Sequence, residues 1–329
     1  MKVLITGGSG FVGSAVVRKL IFRGHDVRVL VRPSSPLDNL EGLDVELAFG
    51  DLIEPQSVLQ AMTGCEAVIH VAADYRIWVP QADRMFQANV DGTQNVLDGA
   101  IEAGIRRLVY TSSVATLGLP KGEYAANEDT PIETGDLIGP YKTSKYVADK
   151  LVTRSAGGSA MEIVIVHPST PIGPRDIRPT PTGKIVIEAA SGRMPAFVDT
   201  GLNVVHVDDV AEGHALALER GLPGRRYILG GENMTLAEIL RAIADIVHQK
   251  APKVRIPHGA VMPIAAIAEA WGHLTGKEPF VTRDGVKLAR KRMFYSSDRA
   301  ICELGYRPRP AQEALGDAID WFKQHGYVA

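Results

Sequence analysis

The sequence predicts an α/β fold, a doubly wound parallel sheet joined to a smaller, mostly helical domain. Three observations predict it. Short β-branched runs alternate with helical stretches through the first half of the chain. The first run turns directly into a glycine-rich loop, Thr6-Gly7-Gly8-Ser9-Gly10-Phe11-Val12-Gly13. Beyond His167 the texture changes to a proline-rich segment and then to helices with few strands.

In chain order, strands are expected at Lys2–Thr6, Asp26–Val31, Val45–Phe49, Ala67–His70, Arg107–Thr111 and Glu162–His167. Helices are expected between them at Phe11–Phe22, Gln56–Met62, Ala82–Ala103 and Tyr141–Ser155. Pro168, Pro171, Pro174, Pro179 and Pro181 cannot continue a regular element, so an ordered loop follows the sixth strand. Leu236–Val247 and Ala311–His325 read as helices of a cap. Two later strand-like pieces, Val204-Val205-His206-Val207 and Tyr227-Ile228-Leu229, are candidates to return to the main sheet. The expected division is residues 1–170 plus about 203–230 for the sheet domain, with 171–202 and 231–329 as the cap.

Composition excludes several function classes. A net charge of −2 over 329 residues gives no field for a polyanion, which argues against nucleic acid. Cys65 and Cys302 lack metal-ligand spacing and read as reduced thiols. Met1 leads straight into a strand, so the expected location is the cytoplasm, without a leader. The most apolar late stretch, Ala260–Ala268, contains Pro263 and stops at Glu269. It is too short to span a bilayer, so no membrane insertion is expected. A core helix is the favoured reading for it, ahead of a pocket wall or a subunit contact.

The glycine loop follows a strand, opens a helix and meets a second strand on schedule. That context is what a dinucleotide-binding loop requires, with small residues letting bare N–H groups reach a pyrophosphate. Gly7, Gly10, Phe11, Val12 and Gly13 are the candidate contacts. The end of the second strand selects the cofactor. An acid there would bind the ribose 2′-hydroxyl of NAD, whereas this chain supplies Arg32, followed by Ser34 and Ser35. A planar guanidinium suits a 2′-phosphate, so NADP(H) is preferred, with NAD(H) as the second choice. Asp51 and Leu52 are placed to meet the adenine, and Val71, Ala72 and Ala73 offer small side chains where backbone passes the cofactor.

The chemistry is expected at Tyr141-Lys142-Thr143-Ser144-Lys145, because residues four apart on a helix share a face. A phenol has a pKa of about 10, and an ammonium held close would lower it into working range. Tyr141 would then give a proton when a carbonyl is reduced and take one when an alcohol is oxidised. Ser113 ends the fifth strand and can hydrogen-bond the same substrate oxygen, with Thr111 beside it. Asn89, in Asn89-Val90-Asp91-Gly92-Thr93, is expected to bend its helix and hold a water that relays protons from Lys145.

These residues together resemble the extended short-chain dehydrogenase/reductase family, also described as the NAD-dependent epimerase/dehydratase family. The resemblance runs over essentially the whole chain: the glycine loop, Asp51, Asn89, Ser113, Tyr141, Lys145 and Val205-His206-Val207-Asp208-Asp209-Val210-Ala211. Two subgroups look similar, the dihydroflavonol-4-reductase-like group and, more closely, the hopanoid-associated sugar epimerase group. The latter resembles this chain at Ala72-Ala73-Asp74-Tyr75-Arg76, Pro168 to Asp176 and Leu229-Gly230-Gly231-Glu232-Asn233. The resemblance implies a Rossmann domain, Pro168 and Ser169 against the nicotinamide, and a substrate cleft bordered by Asp74, Tyr75, Arg76, Trp78 and Arg175. It also implies that His206, Asp208, Asp209 and His214 are structural, with no metal. Homodimers through the helices near Ala82–Ala103 and Tyr141–Ser155 are common in such enzymes. The expected function is an NADP(H)-dependent reductase acting on a ketone or aldehyde–alcohol pair. A nucleotide-sugar epimerase or dehydratase holding its cofactor, and a nucleotide sensor without catalysis, are the alternatives.

Overall fold

The computed structural model describes residues 1–76, 78–79, 81–120, 124–158, 160–277 and 279–328. Strands β1 (Lys2–Thr6), β2 (Asp26–Val31), β3 (Glu46–Phe49), β4 (Ala67–His70), β5 (Arg107–Thr111) and β6 (Glu162–Pro168) lie in one parallel sheet. β7 (Thr170–Ile172), β8 (Ala196–Phe197) and β9 (Gly201–His206) follow, then β10 (Arg226–Leu229), β11 (Glu232–Thr235), β12 (Val254–Arg255) and β13 (Arg292–Met293). The main sheet has the order β3-β2-β1-β4-β5-β6-β10. Chain direction across the sheet reverses between β1 and β4, and ligands of such sheets bind in the crevice at that switch point.

The helices are α1 (Phe11–Phe22), α2 (Pro55–Met62), α3 (Ala82–Phe86), α4 (Gly92–Glu102), α5 (Gly139–Ala156) and α6 (Pro181–Ala190). They continue with α7 (Val207–Arg220), α8 (Leu236–Ile246), α9 (His258–Thr275), α10 (Arg283–Ala289), α11 (Asp298–Leu304) and α12 (Ala311–Gln324). Strands buried on both faces read as unbroken apolar runs, and alternate side chains feed two cores. Val3, Ile5, Val29 and Val109 pack with residues of α1 and α7 on one side. Leu4, Val68, Leu108 and Ile163 pack with residues of α2, α4 and α5 on the other. A third core joins Ile172, Val186, Val204 and Ile243 with the apolar face of α12.

Two expectations are corrected here. Tyr227–Leu229 does return to the main sheet, beside β6, but Val204–His206 does not. It forms the middle of a second sheet, pairing with β7, β11 and β13. A β-branched run carries no record of which sheet receives it. The helix expected at Ala82–Ala103 is interrupted by a π-helical turn at Gln87–Asp91, between α3 and α4.

Candidate active site

The nucleotide cradle is built where β1 and β4 end. Gly7 has φ +70°, and a Cβ there would sit 2.7 Å from the Ala72 backbone. A Cβ at Gly13 would lie 2.0 Å from the Gly7 carbonyl oxygen, so the helix can start this close to the strand only without side chains. The Gly10 N–H donates to the Gly7 carbonyl at 3.0 Å, closing the turn. Gly10 caps α1 without a side-chain bond, and the first turn, including Phe11 and Val12, has no acid. The N–H groups and the dipole of α1 are therefore offered to an anion.

At the ends of the neighbouring strands stand the other expected cofactor contacts. Arg32 follows β2, is exposed, and has no ion pair among the described residues. Asp51 and Leu52 follow β3, where Asp51 accepts from the Ile53 N–H at 3.3 Å and the Leu52 carbonyl accepts from Asn95 at 2.8 Å. Val71, Ala72 and Ala73 follow β4, and the Ala72 N–H donates to Thr6 Oγ1 at 3.3 Å. Pro168 ends β6, and the next hydroxyl, Ser169 Oγ, is buried without a hydrogen-bond partner among the described residues. An orphaned hydroxyl on the same edge of the sheet as the glycine cradle fits a dinucleotide with a polar head group.

Ser113, Tyr141 and Lys145 are brought together. The Tyr141 side chain is half-buried, and the Ser113 hydroxyl acts on its phenol. Lys145, one turn along α5, donates to the Thr111 carbonyl at 2.9 Å and to Tyr110 Oη at 3.3 Å, with the Tyr110 ring 4.9 Å below its ammonium. The electrostatics correct the sequence reading. Burial raises the Tyr141 pKa above that of a free phenol, partly offset by Ser113. Burial pushes Lys145 itself down to about 8, against the opposing pull of Asp149.

Asn89 sits in the π-helical turn, so the bend is present, but its amide has another occupation. Its Oδ1 accepts from the Asp74 N–H at 2.7 Å. Its Nδ2 donates to the Asp74 carbonyl at 2.9 Å and to Ser144 Oγ at 3.0 Å. Ser144 Oγ in turn donates to the Tyr141 carbonyl at 3.0 Å. Asn89 therefore ties the loop after β4 to the turn of α5 that carries Tyr141.

The candidate substrate residues divide. The Asp74 carboxylate holds Arg76 (Nε to Oδ1, 2.9 Å), Tyr75 is half exposed beside them, and Trp78 meets the His273 ring of α9 edge-on at 5.5 Å. Arg175 is drawn elsewhere. Its guanidinium pairs with Asp208, and its carbonyl accepts from Asn39, which also donates to Ser9 in the glycine loop. His206, Asp209 and His214 have polar partners in Asp317, Arg309 and Thr111 respectively.

Sequence reasoning missed the support beneath this site. Thr6 Oγ1 and His70 Nδ1 lie 2.6 Å apart, and His70 Nε2 reaches Thr93 Oγ1 at 3.1 Å. Burial and the Lys145 charge push His70 down to about 3, so it stays neutral. On the far side, Asp149 accepts from Ser112 at 2.6 Å and from Arg226 at 2.7 Å. The available signal was polar residues at the ends of otherwise apolar strands.

Comparison with known proteins agrees with this geometry. The sequence profile of the NAD dependent epimerase/dehydratase family matches residues 3–230. A Synechocystis sp. protein carrying the provisional name dihydroflavonol 4-reductase is 44% identical, over 98% of this chain and 95% of its own. Sterol demethylase protein B of Methylococcus capsulatus is 33% identical over the full length of both chains. The 2-alkyl-3-oxoalkanoate reductase of Stenotrophomonas maltophilia is 32% identical over 95% of this chain and 96% of its own. Among solved structures, gox2253 superposes with a TM-score of 0.89 and 51% identity, covering 99% of each chain. A family profile spanning both the glycine cradle and the Ser113–Tyr141–Lys145 cluster, with relatives aligned end to end, makes this chain an enzyme of the NAD-dependent epimerase/dehydratase family, built on the extended short-chain dehydrogenase/reductase fold.

Proposed function

We infer that the protein is an NADP(H)-dependent reductase that converts the ketone of a lipophilic substrate to a secondary alcohol. The Ser113 hydroxyl acting on the half-buried Tyr141 phenol carries the reading. A hydroxyl pair at the carboxyl end of the sheet, on the same edge as the cradle, is what a carbonyl oxygen needs as it gains negative charge. The bound nicotinamide would supply the hydride. Ser113 would orient the carbonyl, and Tyr141 would donate the proton to its oxygen. Lys145 would keep a positive charge near that oxygen while its own position is fixed by the Thr111 carbonyl. The glycine cradle and the first turn of α1 would hold the pyrophosphate, and Ser169 Oγ would find its missing partner on the carboxamide.

Arg32, exposed and without an acid beside it at the end of β2, supports the 2′-phosphate form of the cofactor. A reductase that consumes its cofactor fits that form better than an epimerase, which returns hydride internally. Support for a lipophilic ketone comes from relatives named for a sterol and for 2-alkyl-3-oxoalkanoates. The test is stoichiometric oxidation of NADPH by purified protein against a panel of lipophilic ketones, including 3-oxo acids and 3-oxosteroids. Net consumption with NADPH favoured over NADH is expected. Turnover of a nucleotide sugar with no net consumption would overturn the reading in favour of epimerisation.

A further inference from the structure

The expected core helix at Ala260–Ala268 is part of α9, and much of it faces water. Ile267, Trp271, Leu274 and the nearby Phe280 are 72%, 66%, 82% and 85% exposed, with Ile264 half exposed on the same ridge. Residues 264, 267, 271 and 274 recur every three or four positions, so they form one stripe along a helix roughly 27 Å long. The one acid of α9, Glu269, is turned inward and bonded to Arg283. A surface helix of a soluble domain normally presents the reverse pattern. Ile264, Ile267, Ala268, Trp271 and Phe280 also line a shallow cavity of about 290 Å³.

Charge identifies what the ridge fits. Residues 250–292 hold nine Lys and Arg against three acids in a chain whose total is −2, and even with Arg255 and Lys291 paired to Asp199 and Asp136 outside that span the excess is about +4. Lys253 lies just before α9, Lys277 just after it, and Arg290 at the end of α10, which packs on α9. All three are exposed and have no ion pair among the described residues. We propose that this ridge docks the protein onto the surface of a bilayer containing anionic lipid, with α9 lying in the interface and not crossing it. An apolar helical face carrying a tryptophan and bordered by cations is the pattern of an interfacial helix. A second copy of the chain fits less well, since a two-fold contact would bring two such cationic borders together. The edge contact between His273 and Trp78 joins the ridge to the loop after β4, so the docked face would lie next to the site. The proposal depends on neither the cofactor preference nor the substrate.

Co-sedimentation with phosphatidylcholine vesicles, with and without about 30% phosphatidylglycerol, tests it. The expected result is at least tenfold greater binding to the anionic vesicles, largely lost in about 0.5 M NaCl. Ile267→Asp/Leu274→Asp replaces exposed residues only, so its melting temperature should match the parent while vesicle binding falls tenfold or more. Lys277→Glu/Arg290→Glu should abolish the preference for anionic vesicles. Failure of the parent protein to bind either vesicle, or equal binding to both, would overturn the proposal. A lipid-free dimer that Ile267→Asp/Leu274→Asp converts to monomer would overturn it too, by making a second copy the occupant.

Discussion

Burial acts on Tyr141 and Lys145 in opposite directions, since it disfavours the charged form of each. The phenol is held protonated at neutral pH, as a proton donor must be, while the ammonium is brought down to about 8. Raising the pH therefore strips Lys145 well before Tyr141. The rate of carbonyl reduction, as kcat/KM, should fall along a one-proton limb centred near pH 8, where the positive charge beside the developing oxyanion is lost. Lys145→Met should lower the rate and remove that limb, and a profile flat from pH 7 to 9 would contradict the assignment. The four-residue spacing of Tyr141 and Lys145 was legible in the sequence because a helix face is a local property. The partners of Lys145 were not, since Thr111 and Tyr110 lie on a strand over thirty positions earlier.

At the level of elements, strand ends and helix starts were readable where punctuation is strong. The glycine loop, the second strand and α1 fall where the sequence puts them. The π-helical turn at Gln87–Asp91 was foreshadowed by a buried asparagine on a helical run, though its clamp on Asp74 and Ser144 was not. That clamp predicts a separable defect. Asn89→Ala removes the Asn89 bonds to the Asp74 N–H and carbonyl and one of the bonds of Ser144, and should cost about 2 kcal/mol in stability. It should raise the KM for the carbonyl substrate several-fold and leave the Kd for NADPH nearly unchanged. Kinetics in which kcat alone collapses, with KM unaltered, would instead favour the proton relay. The mistaken placements of Val204–His206 and α9 share one cause. Apolar content signals burial of some kind, without naming the partner, and α9 is apolar on a face that no other element covers among the described residues.

For the whole molecule, the order of the main sheet is what assembles the site from distant segments. Parallel strands β1, β2, β4, β5 and β6 end on one edge, which gathers the glycine cradle, Arg32, Ala72, Ser113 and Ser169 there, and α5 lays Tyr141 against Ser113. We propose that this phenol delivers the proton to the carbonyl while the rest of the edge binds the nucleotide. Single-turnover oxidation of NADPH by Tyr141→Phe, measured beside its NADPH Kd, decides whether the phenol is the acid. The variant removes one oxygen and leaves the ring in place. The rate should fall by at least about a hundredfold with the Kd within a factor of about two. A rate close to that of the parent protein would contradict the assignment of Tyr141 as the acid.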